Sequence, residues 1–127
     1  MVRHHTPSLS FEVFPPNPAV GNEKIIQALR EMQDIAPHYI SVTASNNKFN
    51  IEETTVRLAD FIYNDLKIPT IAHLPAVYLT KEMVSDTLQA LDKVGVHKIL
   101  ALRGDIFPDV APKDDFKYAT DLIEYIK

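Results

Sequence analysis

The chain has 127 residues and no cysteine, and its 17 Asp and Glu against 13 Lys and Arg give a formal charge of −4. This length suits one domain over residues 1–127, and the missing cysteine excludes a disulfide framework and thiolate metal sites, so we predict no metal. The sequence has no basic block, no apolar run of about 18 residues and no signal-peptide core, so we expect a cytoplasmic protein that binds neither nucleic acid nor membrane.

The first half of the chain contains two β-rich runs, each followed by a helical pattern. Residues 9–14 (LSFEVF) alternate apolar and polar side chains and end at two prolines, which is typical of a strand. Apolar residues then recur at helical spacing over residues 22–36, until a proline stops the helix. Residues 39–43 (YISVT) predict a second strand, and Asn50 with Glu53 resembles a capping pair for a second helix. The inward helix faces are Ile25, Ile26, Leu29, Met32 and Ala36 in the first, and Leu58, Ala59, Ile62 and Leu66 in the second.

The second half repeats this pattern. Residues 70–74 (TIAHL) predict a third strand, and residues 96–102 (VHKILAL) a fourth, whose almost wholly apolar composition is typical of a buried parallel strand. Thr80 can cap the helix between them, and Gly95 lies where a helix end favours positive φ. Residues 116–127 predict a last helix. The inward faces are Val84, Thr87, Leu88 and Leu91 in the third helix, and Ala119, Leu122, Ile123 and Ile126 in the fourth.

The order β-α-β-α-β-α-β-α predicts an α/β fold with a parallel sheet and right-handed crossovers. A polar residue stands at or just beyond each strand end. These residues are Glu12, Thr43, His73 and Asp105, and their separations are 31, 30 and 32 residues. A βα unit of an eight-fold barrel averages about 31 residues. We therefore predict a (βα)4 half of a TIM-type (β/α)8 barrel, with all four side chains on the rim where such folds build their sites.

The parity of the first strand gives Glu12 a direction. Ser10, Glu12 and Phe14 share one face, while apolar residues share the other, which suits packing against helices. We therefore expect Glu12 to point into the sheet interior or the barrel lumen. A carboxyl buried there is costly unless it is paired or protonated, which makes Glu12 a candidate general acid.

Each of these residues also has a purely structural interpretation. Alone, Glu12 could be an exposed strand-end carboxylate and Thr43 an ordinary β-former. Likewise, His73 could be a hydrogen-bonded structural histidine and Asp105 a turn or capping residue. Only their common period and rim favour a functional site. A doubly wound, flavodoxin-like domain is a further alternative, which would need a fifth strand.

The motifs at the strand ends resemble those of the methylenetetrahydrofolate reductase family. Residues 10–16 (SFEVFPP) are similar to the family's opening S-F-E-F-F-P-P, and residues 101–105 (ALRGD) match its motif at the fourth strand. Residues 41–43 (SVT), the pair His73-Leu74 and residues 118–121 (YATD) agree in the same order. The first and fourth motifs are specific, and the resemblance spans nearly the whole chain.

That resemblance implies a flavoprotein of one-carbon and methionine metabolism on a (β/α)8 barrel. Such enzymes pass a hydride from NAD(P)H to FAD, and then from the reduced flavin to 5,10-methylenetetrahydrofolate, giving 5-methyltetrahydrofolate. Glu12 matches the family's general acid, which assists opening of the methylene bridge of the folate. Asp105 matches a carboxylate beside flavin and folate, and Arg103 is suited to a phosphate. The positions that match FAD contacts are Thr43, His73, Arg103, Gly104, Asp105, Tyr118 and Ala119.

The chain also departs from the family pattern. Asn17 stands where a basic residue is usual, Ala44-Ser45 where an aromatic-Gly pair is usual, and Pro75-Ala76 where Thr-Cys is common. A catalytic domain of this family is about twice as long, as expected for eight βα units. We therefore expect this chain to supply half of a barrel.

Three arrangements of such a half barrel are open from the sequence. Two copies can close into an eight-stranded barrel, or a separately encoded chain can supply the second half. The third arrangement is a catalytically incomplete remnant that acts only as an interaction or flavin-binding module. In each case the first and fourth strands are sheet edges that need a partner, since unpaired edges promote aggregation.

Overall fold

Four parallel strands form one sheet in this protein, for which the computed structural model describes residues 7–16, 22–44 and 50–127. The strands are β1 (Ser10–Val13), β2 (Tyr39–Val42), β3 (Thr70–Pro75) and β4 (Lys98–Leu102). They lie in the order β1-β2-β3-β4, and each neighbouring pair is parallel. The predicted α/β fold with a parallel sheet is confirmed. The flavodoxin-like alternative is wrong, because that fold requires the strand order to reverse.

The strands are joined by helical connections. α1 (Glu23–Gln33) lies between β1 and β2. The next connection, residues 52–65, is continuous: π-helical turns Glu52–Val56 and Phe61–Asp65 flank α2 (Arg57–Asp60). A 3₁₀ turn (Ala76–Tyr78) and α3 (Lys81–Lys93) follow β3, and α4 (Ala119–Ile126) follows β4. Within the described ranges, no helix has both the length and the apolar character to cross a membrane.

The hydrophobic core lies between these helices and one face of the sheet. Its buried members include Val13, Ile40, Val42, Ala72 and Leu74 from the strands, and Leu29, Leu58, Ala59, Ile62, Leu66, Val84, Leu91 and Leu122 from the helical connections. The predicted inward faces of the second and third helices are therefore largely confirmed. The predicted cap is confirmed too, since Thr80 Oγ1 accepts a hydrogen bond from the Met83 N–H at 3.1 Å. Burial of this apolar surface is the main force that holds the helices against the sheet.

The opposite face of the sheet is open in the described part of the chain. The register places Glu12 beside Ser41, and His73 beside Leu100. Leu100 and Tyr39 on this face remain 44% and 38% exposed. The predicted burial of Glu12 is wrong, because its side chain is 54% exposed where no described helix covers the face.

Several element ends differ from the predicted ones. α1 ends before Ala36, whose φ of 56° is left-handed and takes the chain out of the helix. α4 begins at Ala119, so Phe116 is buried ahead of the helix rather than within it. Ile123 was predicted to face inward and is 41% exposed, since it lies beside the buried stripe of α4. β4 is shorter than predicted and half-exposed rather than buried, because its Leu100 lies on the open face.

Candidate functional site

A cleft of about 700 Å³ opens at the carboxyl ends of the strands, where the βα loops converge. All four strand-end residues of the 30–32-residue period line this cleft: Glu12, Thr43, His73 and Asp105. The other residues that line it are Phe14, Pro15, Ala44, Pro75, Tyr78, Leu100, Leu102, Arg103, Gly104 and Phe107. A few polar groups set in apolar and aromatic walls are typical of a site for a small molecule or cofactor.

Thr43 follows β2 with its backbone fixed on both sides. Its N–H donates to the Val13 carbonyl at 3.0 Å, and its own carbonyl accepts a hydrogen bond from Thr55 Oγ1 at 2.9 Å. The side-chain oxygen of Thr43 is buried and has no hydrogen-bond partner among the described residues. A buried hydroxyl without a partner costs about 1–3 kcal/mol, so this atom points to a ligand.

His73, on β3, is 4% exposed and presents a second buried polar atom. Its Nε2 has no hydrogen-bond partner within the described ranges, and Glu12 Oε1 lies 3.7 Å away, beyond hydrogen-bond length. Burial lowers the pKa of His73, and the Glu12 carboxylate opposes that shift. The imidazole is therefore neutral near pH 7, with one N–H donor and one acceptor nitrogen.

The loop after β4 turns tightly at Gly104. The φ of Gly104 is 92°, and a Cβ there would approach Pro75 Cβ to 2.9 Å and Val77 Cγ2 to 3.3 Å. Only glycine fits this conformation and this close approach. The Val77 N–H also donates to the Arg103 carbonyl at 2.9 Å, which fixes the start of the loop. Arg103 and Asp105 are exposed and line the cleft with opposite charges.

Tyr118 and Ala119 lie at the start of α4 and are not part of the cleft lining. Tyr118 is 53% exposed, and its N–H donates to Asp121 Oδ2 at 2.9 Å, which caps the helix. The structure thus brings six of the eight predicted site residues together and leaves these two apart. Of the departures from the family pattern, Asn17 and Ser45 lie outside the described residues.

Sequence reasoning assigned none of the three aromatic residues of the cleft, Phe14, Tyr78 and Phe107, to the site. Tyr78 is 1% exposed, and its hydroxyl accepts a hydrogen bond from the Phe107 N–H at 2.9 Å. One sequence signal could have identified Tyr78, because it is the only residue with a hydroxyl group between His73 and Thr80, just after the third strand. No motif marks Phe107, which lies in a Pro- and Asp-rich loop.

The cleft combines groups with distinct chemical abilities. Glu12 can transfer a proton, while the Arg103 cation can pair with an anion. The unpartnered Thr43 and His73 atoms can hydrogen-bond the polar edge of a ligand whose apolar part lies against Phe14 or the other apolar walls. Among the described residues, no group of three or more acidic or histidine side chains is placed to hold a metal ion.

Fold and cleft together define an α/β protein with a candidate small-molecule site at the carboxyl edge of a parallel sheet. The family model for methylenetetrahydrofolate reductase matches residues 1–127. The chain belongs to this family, as its motifs suggested.

Individual relatives agree with this assignment. The chain is 32% identical over 121 residues to a 5,10-methylenetetrahydrofolate reductase of Buchnera aphidicola, a match that covers 94% of this chain and 40% of the relative. It is 30% identical over 122 residues to methylenetetrahydrofolate reductase 1 of Schizosaccharomyces pombe, covering 93% of this chain and 20% of the relative. A maize relative named methylenetetrahydrofolate reductase (NADH) 1 is 26% identical, with 94% and 21% covered. The chain thus spans two fifths or less of the length of these curated relatives.

Proposed function

We propose that this chain carries the flavin-binding and acid groups of a methylenetetrahydrofolate reductase. The proposed reaction takes a hydride from NADH or NADPH through FAD to 5,10-methylenetetrahydrofolate and yields 5-methyltetrahydrofolate. The observation that carries this proposal is the pair of buried, unpartnered polar atoms, Thr43 Oγ1 and His73 Nε2, in residues that line one cleft. Because the chain belongs to the methylenetetrahydrofolate reductase family, we propose FAD as the ligand.

The residues of the cleft fit FAD. Thr43 and His73 offer buried hydrogen-bonding groups of the kind that ribityl hydroxyls and phosphates need, and Arg103 offers a cation for a phosphate. Gly104 presents backbone without a side chain, so a ligand can approach it closely. On the motif resemblance of residues 118–121, we also propose Tyr118 and Ala119 as cofactor contacts, although they lie outside the cleft lining. When bound, FAD supplies the hydride chemistry, and the chain supplies orientation, a proton and charge.

Two carboxylates have separate proposed roles. Glu12 is the general acid that assists opening of the folate's methylene bridge, and its half-exposed side chain can reach a ligand in the cleft. Asp105 is exposed at the other side of the cleft, where its negative charge can stabilise a cationic folate and tune the flavin. His73, which is buried and neutral, lies 3.7 Å from Glu12 and so places no positive charge beside the proposed acid.

We further propose that the sheet is one half of an eight-stranded barrel. The consecutive strand order and the helices on one face are what four successive units of such a barrel contain. A second copy of the chain, a separate chain or further residues of a longer chain would close the barrel over the open face that holds Glu12 and Leu100. The alternative, for a chain whose open face stays uncovered, is a catalytically incomplete module that binds flavin or a partner without turnover.

The test is an absorbance spectrum of the purified chain, followed by titration with FAD. We expect a yellow protein, or binding of added FAD, and loss of the flavin band when NADH or NADPH is added without oxygen. Addition of methylenetetrahydrofolate should then restore the band. A colourless protein that fails to bind FAD refutes the flavoprotein proposal.

Glu12→Gln separates the enzyme from the module. If Glu12 is the general acid, the variant keeps FAD binding and reduction by NAD(P)H, and reoxidation by the folate slows about 10²–10⁴-fold. Glu52→Gln, at an exposed position in the helical connection, is the matched control and should behave like the parent chain. If Glu12→Gln changes no rate and the folate never reoxidises the flavin, the chain is a module without turnover.

A further inference from the structure

We infer that Tyr78 is a positioning residue, which holds the loop of residues 103–107 against the cleft. This inference rests on the proposed function, because the loop carries Arg103 and Asp105. Tyr78 belongs to the 3₁₀ turn after β3, whereas the loop follows β4, so the two segments come from neighbouring strands. The contacts between them bear on opposite ends of the loop.

At the far end of the loop, Tyr78 makes both a polar and an aromatic contact. Its hydroxyl accepts a hydrogen bond from the Phe107 N–H at 2.9 Å. The two rings are stacked, with centroids 6.3 Å apart and planes inclined by 21°. Tyr78 is only 1% exposed, so its own position is set by the surrounding core. A fixed hydroxyl of this kind holds the backbone of Phe107 in one place.

At the near end of the loop, residue 103, the same 3₁₀ turn makes a backbone hydrogen bond to the loop. The Val77 N–H donates to the Arg103 carbonyl at 2.9 Å, and Gly104 packs so closely on Pro75 that no Cβ fits between them. Asp105 therefore lies between two attachment points, at residues 103 and 107. Asp105 itself is exposed, and among the described residues its side chain makes no hydrogen bond or ion pair. Its location depends on the backbone on either side.

In this arrangement Tyr78 acts on Asp105 through the loop and does not itself touch the reacting atoms of a ligand. Removing its hydroxyl leaves the ring, its burial and its stacking on Phe107 in place. The change should free only the far end of the loop and let Asp105 drift from the cleft. Tyr78→Phe is therefore a clean substitution for the test.

The first measurement is amide hydrogen exchange on the ligand-free full chain, for Tyr78→Phe and for the control Tyr63→Phe. Tyr63 is 40% exposed on the helical connection, far in sequence from the loop. We expect the Phe107 amide to exchange about fivefold faster in Tyr78→Phe, because one hydrogen bond is lost, and to be unchanged in Tyr63→Phe. The Ile40 amide, bonded to the Pro69 carbonyl at 2.9 Å in the core, serves as the reference and should not change.

Two results would overturn the inference. If the Phe107 amide exchanges at the parent rate, Tyr78 does not hold the loop. If the Phe107 and Ile40 amides accelerate equally, Tyr78 supports the whole fold and has no specific action on the loop.

The second measurement is FAD titration of the same variants. We expect Tyr78→Phe to bind FAD about fivefold more weakly than the parent chain and Tyr63→Phe to bind equally well. Equal affinity in all three chains would overturn the positioning role of Tyr78. If the parent chain binds no FAD, the proposed function fails, and the exchange measurement alone decides whether Tyr78 holds the loop.

Discussion

Two buried threonines near the end of β2, Thr43 and Thr55, differ in the hydrogen bonding of their hydroxyl groups. Thr55 is fully buried and donates its hydroxyl to the Thr43 carbonyl at 2.9 Å. Thr43 has no hydrogen-bond partner for its own hydroxyl in the described part of the chain. The two side chains are both buried, and only the Thr55 hydroxyl has a partner within the described ranges. Substitution of each can therefore distinguish a structural role from a ligand-binding role.

The substitution Thr43→Val should leave the free energy of unfolding unchanged or raise it by up to about 1 kcal/mol, since it removes an unpartnered buried hydroxyl. The same variant should bind FAD more weakly. Thr55→Val should instead lower the free energy of unfolding by about 1–3 kcal/mol, because it leaves the Thr43 carbonyl unpaired. Urea unfolding with and without FAD measures both effects. A large loss of stability in Thr43→Val would show that its hydroxyl has a structural partner.

His73 makes stability depend on pH. Burial lowers its pKa in the folded chain below the ordinary value of 6.5, with the Glu12 carboxylate opposing the shift. As pH falls through about 6.5, the unfolded chain takes up this proton first, so the free energy of unfolding decreases. The decrease stops once the pH lies below the lowered folded pKa.

We expect His73→Gln to lack this component, so the stability difference between parent and variant should shrink as pH falls from about 7.5 to 5. Urea unfolding at a series of pH values measures the difference, which cancels the groups common to both chains. In NMR titrations, Glu12→Gln should lower the pKa of His73 further, because the opposing charge is gone. A difference that is independent of pH would contradict the proposed neutral, buried state of His73.

At the level of the elements, three of the turns that lead from a helix into a strand contain one residue with positive φ. These residues are Ala36 at 56°, Lys67 at 60° and Gly95 at 84°. Each stands shortly before a strand, and only the third is a glycine. Left-handed φ costs a non-glycine residue about 1–2 kcal/mol, so the first two turns are strained relative to the third.

The turns predict reciprocal substitutions. Lys67→Gly should raise the free energy of unfolding by about 0.5–1 kcal/mol, because relief of strain exceeds the entropy cost of glycine. Gly95→Ala should lower it by about 1 kcal/mol, and its Cβ would also meet Tyr63 Cε2 at 3.1 Å. Chemical denaturation measures both changes. Lys67→Ala keeps a Cβ and is the control, so stabilisation by Lys67→Ala as large as that by Lys67→Gly would exclude strain as the cause.

The sequence predicted the order and type of the elements because each is short, periodic and bounded by local signals. Thr80 caps α3 through its own hydroxyl, and Gly95 turns the chain after that helix, so neither depends on distant contacts. Burial of β4 was mispredicted because an apolar run does not reveal whether both faces of its sheet are covered. Leu100 is exposed because it lies on the open face of the sheet.

The site residues that recur with the strand period were predictable from the sequence. The residues brought to the site by packing between distant segments were not. Glu12, Thr43, His73 and Asp105 reach one cleft because strand ends of a parallel sheet meet at one edge. Tyr78 joins them from a 3₁₀ turn, where its hydroxyl contacts the Phe107 N–H in the loop after the next strand. Such a contact between distant segments has no signature in local sequence.

For the molecule as a whole, the open face decides the oligomeric state that we expect. Leu100 is 44% exposed there, and β1 and β4 each pair with a single described neighbour. Exposed apolar surface between unpaired edges favours association. We therefore expect sizing of the purified 14.4 kDa chain to show an assembly of at least two copies.

Leu100→Lys should dissociate that assembly, because it places a charge on the face that a second copy would cover. Tyr63→Lys, at a residue that is 40% exposed on the helical side, is the matched control and should not change the elution volume. A parent chain that elutes as a monomer would contradict closure by a second copy.

The alternation of covered and open faces along each strand also predicts how the sequence tolerates change. Covered positions such as Val13, Val42 and Leu74 are constrained by volume, so they should accept other aliphatic residues and reject polar ones. Positions that line the cleft, such as the half-exposed Glu12 and the buried His73, are constrained by chemistry, so they should reject aliphatic residues of the same size. Along β1 and β3, positions that accept only aliphatic residues should therefore alternate with positions that reject them.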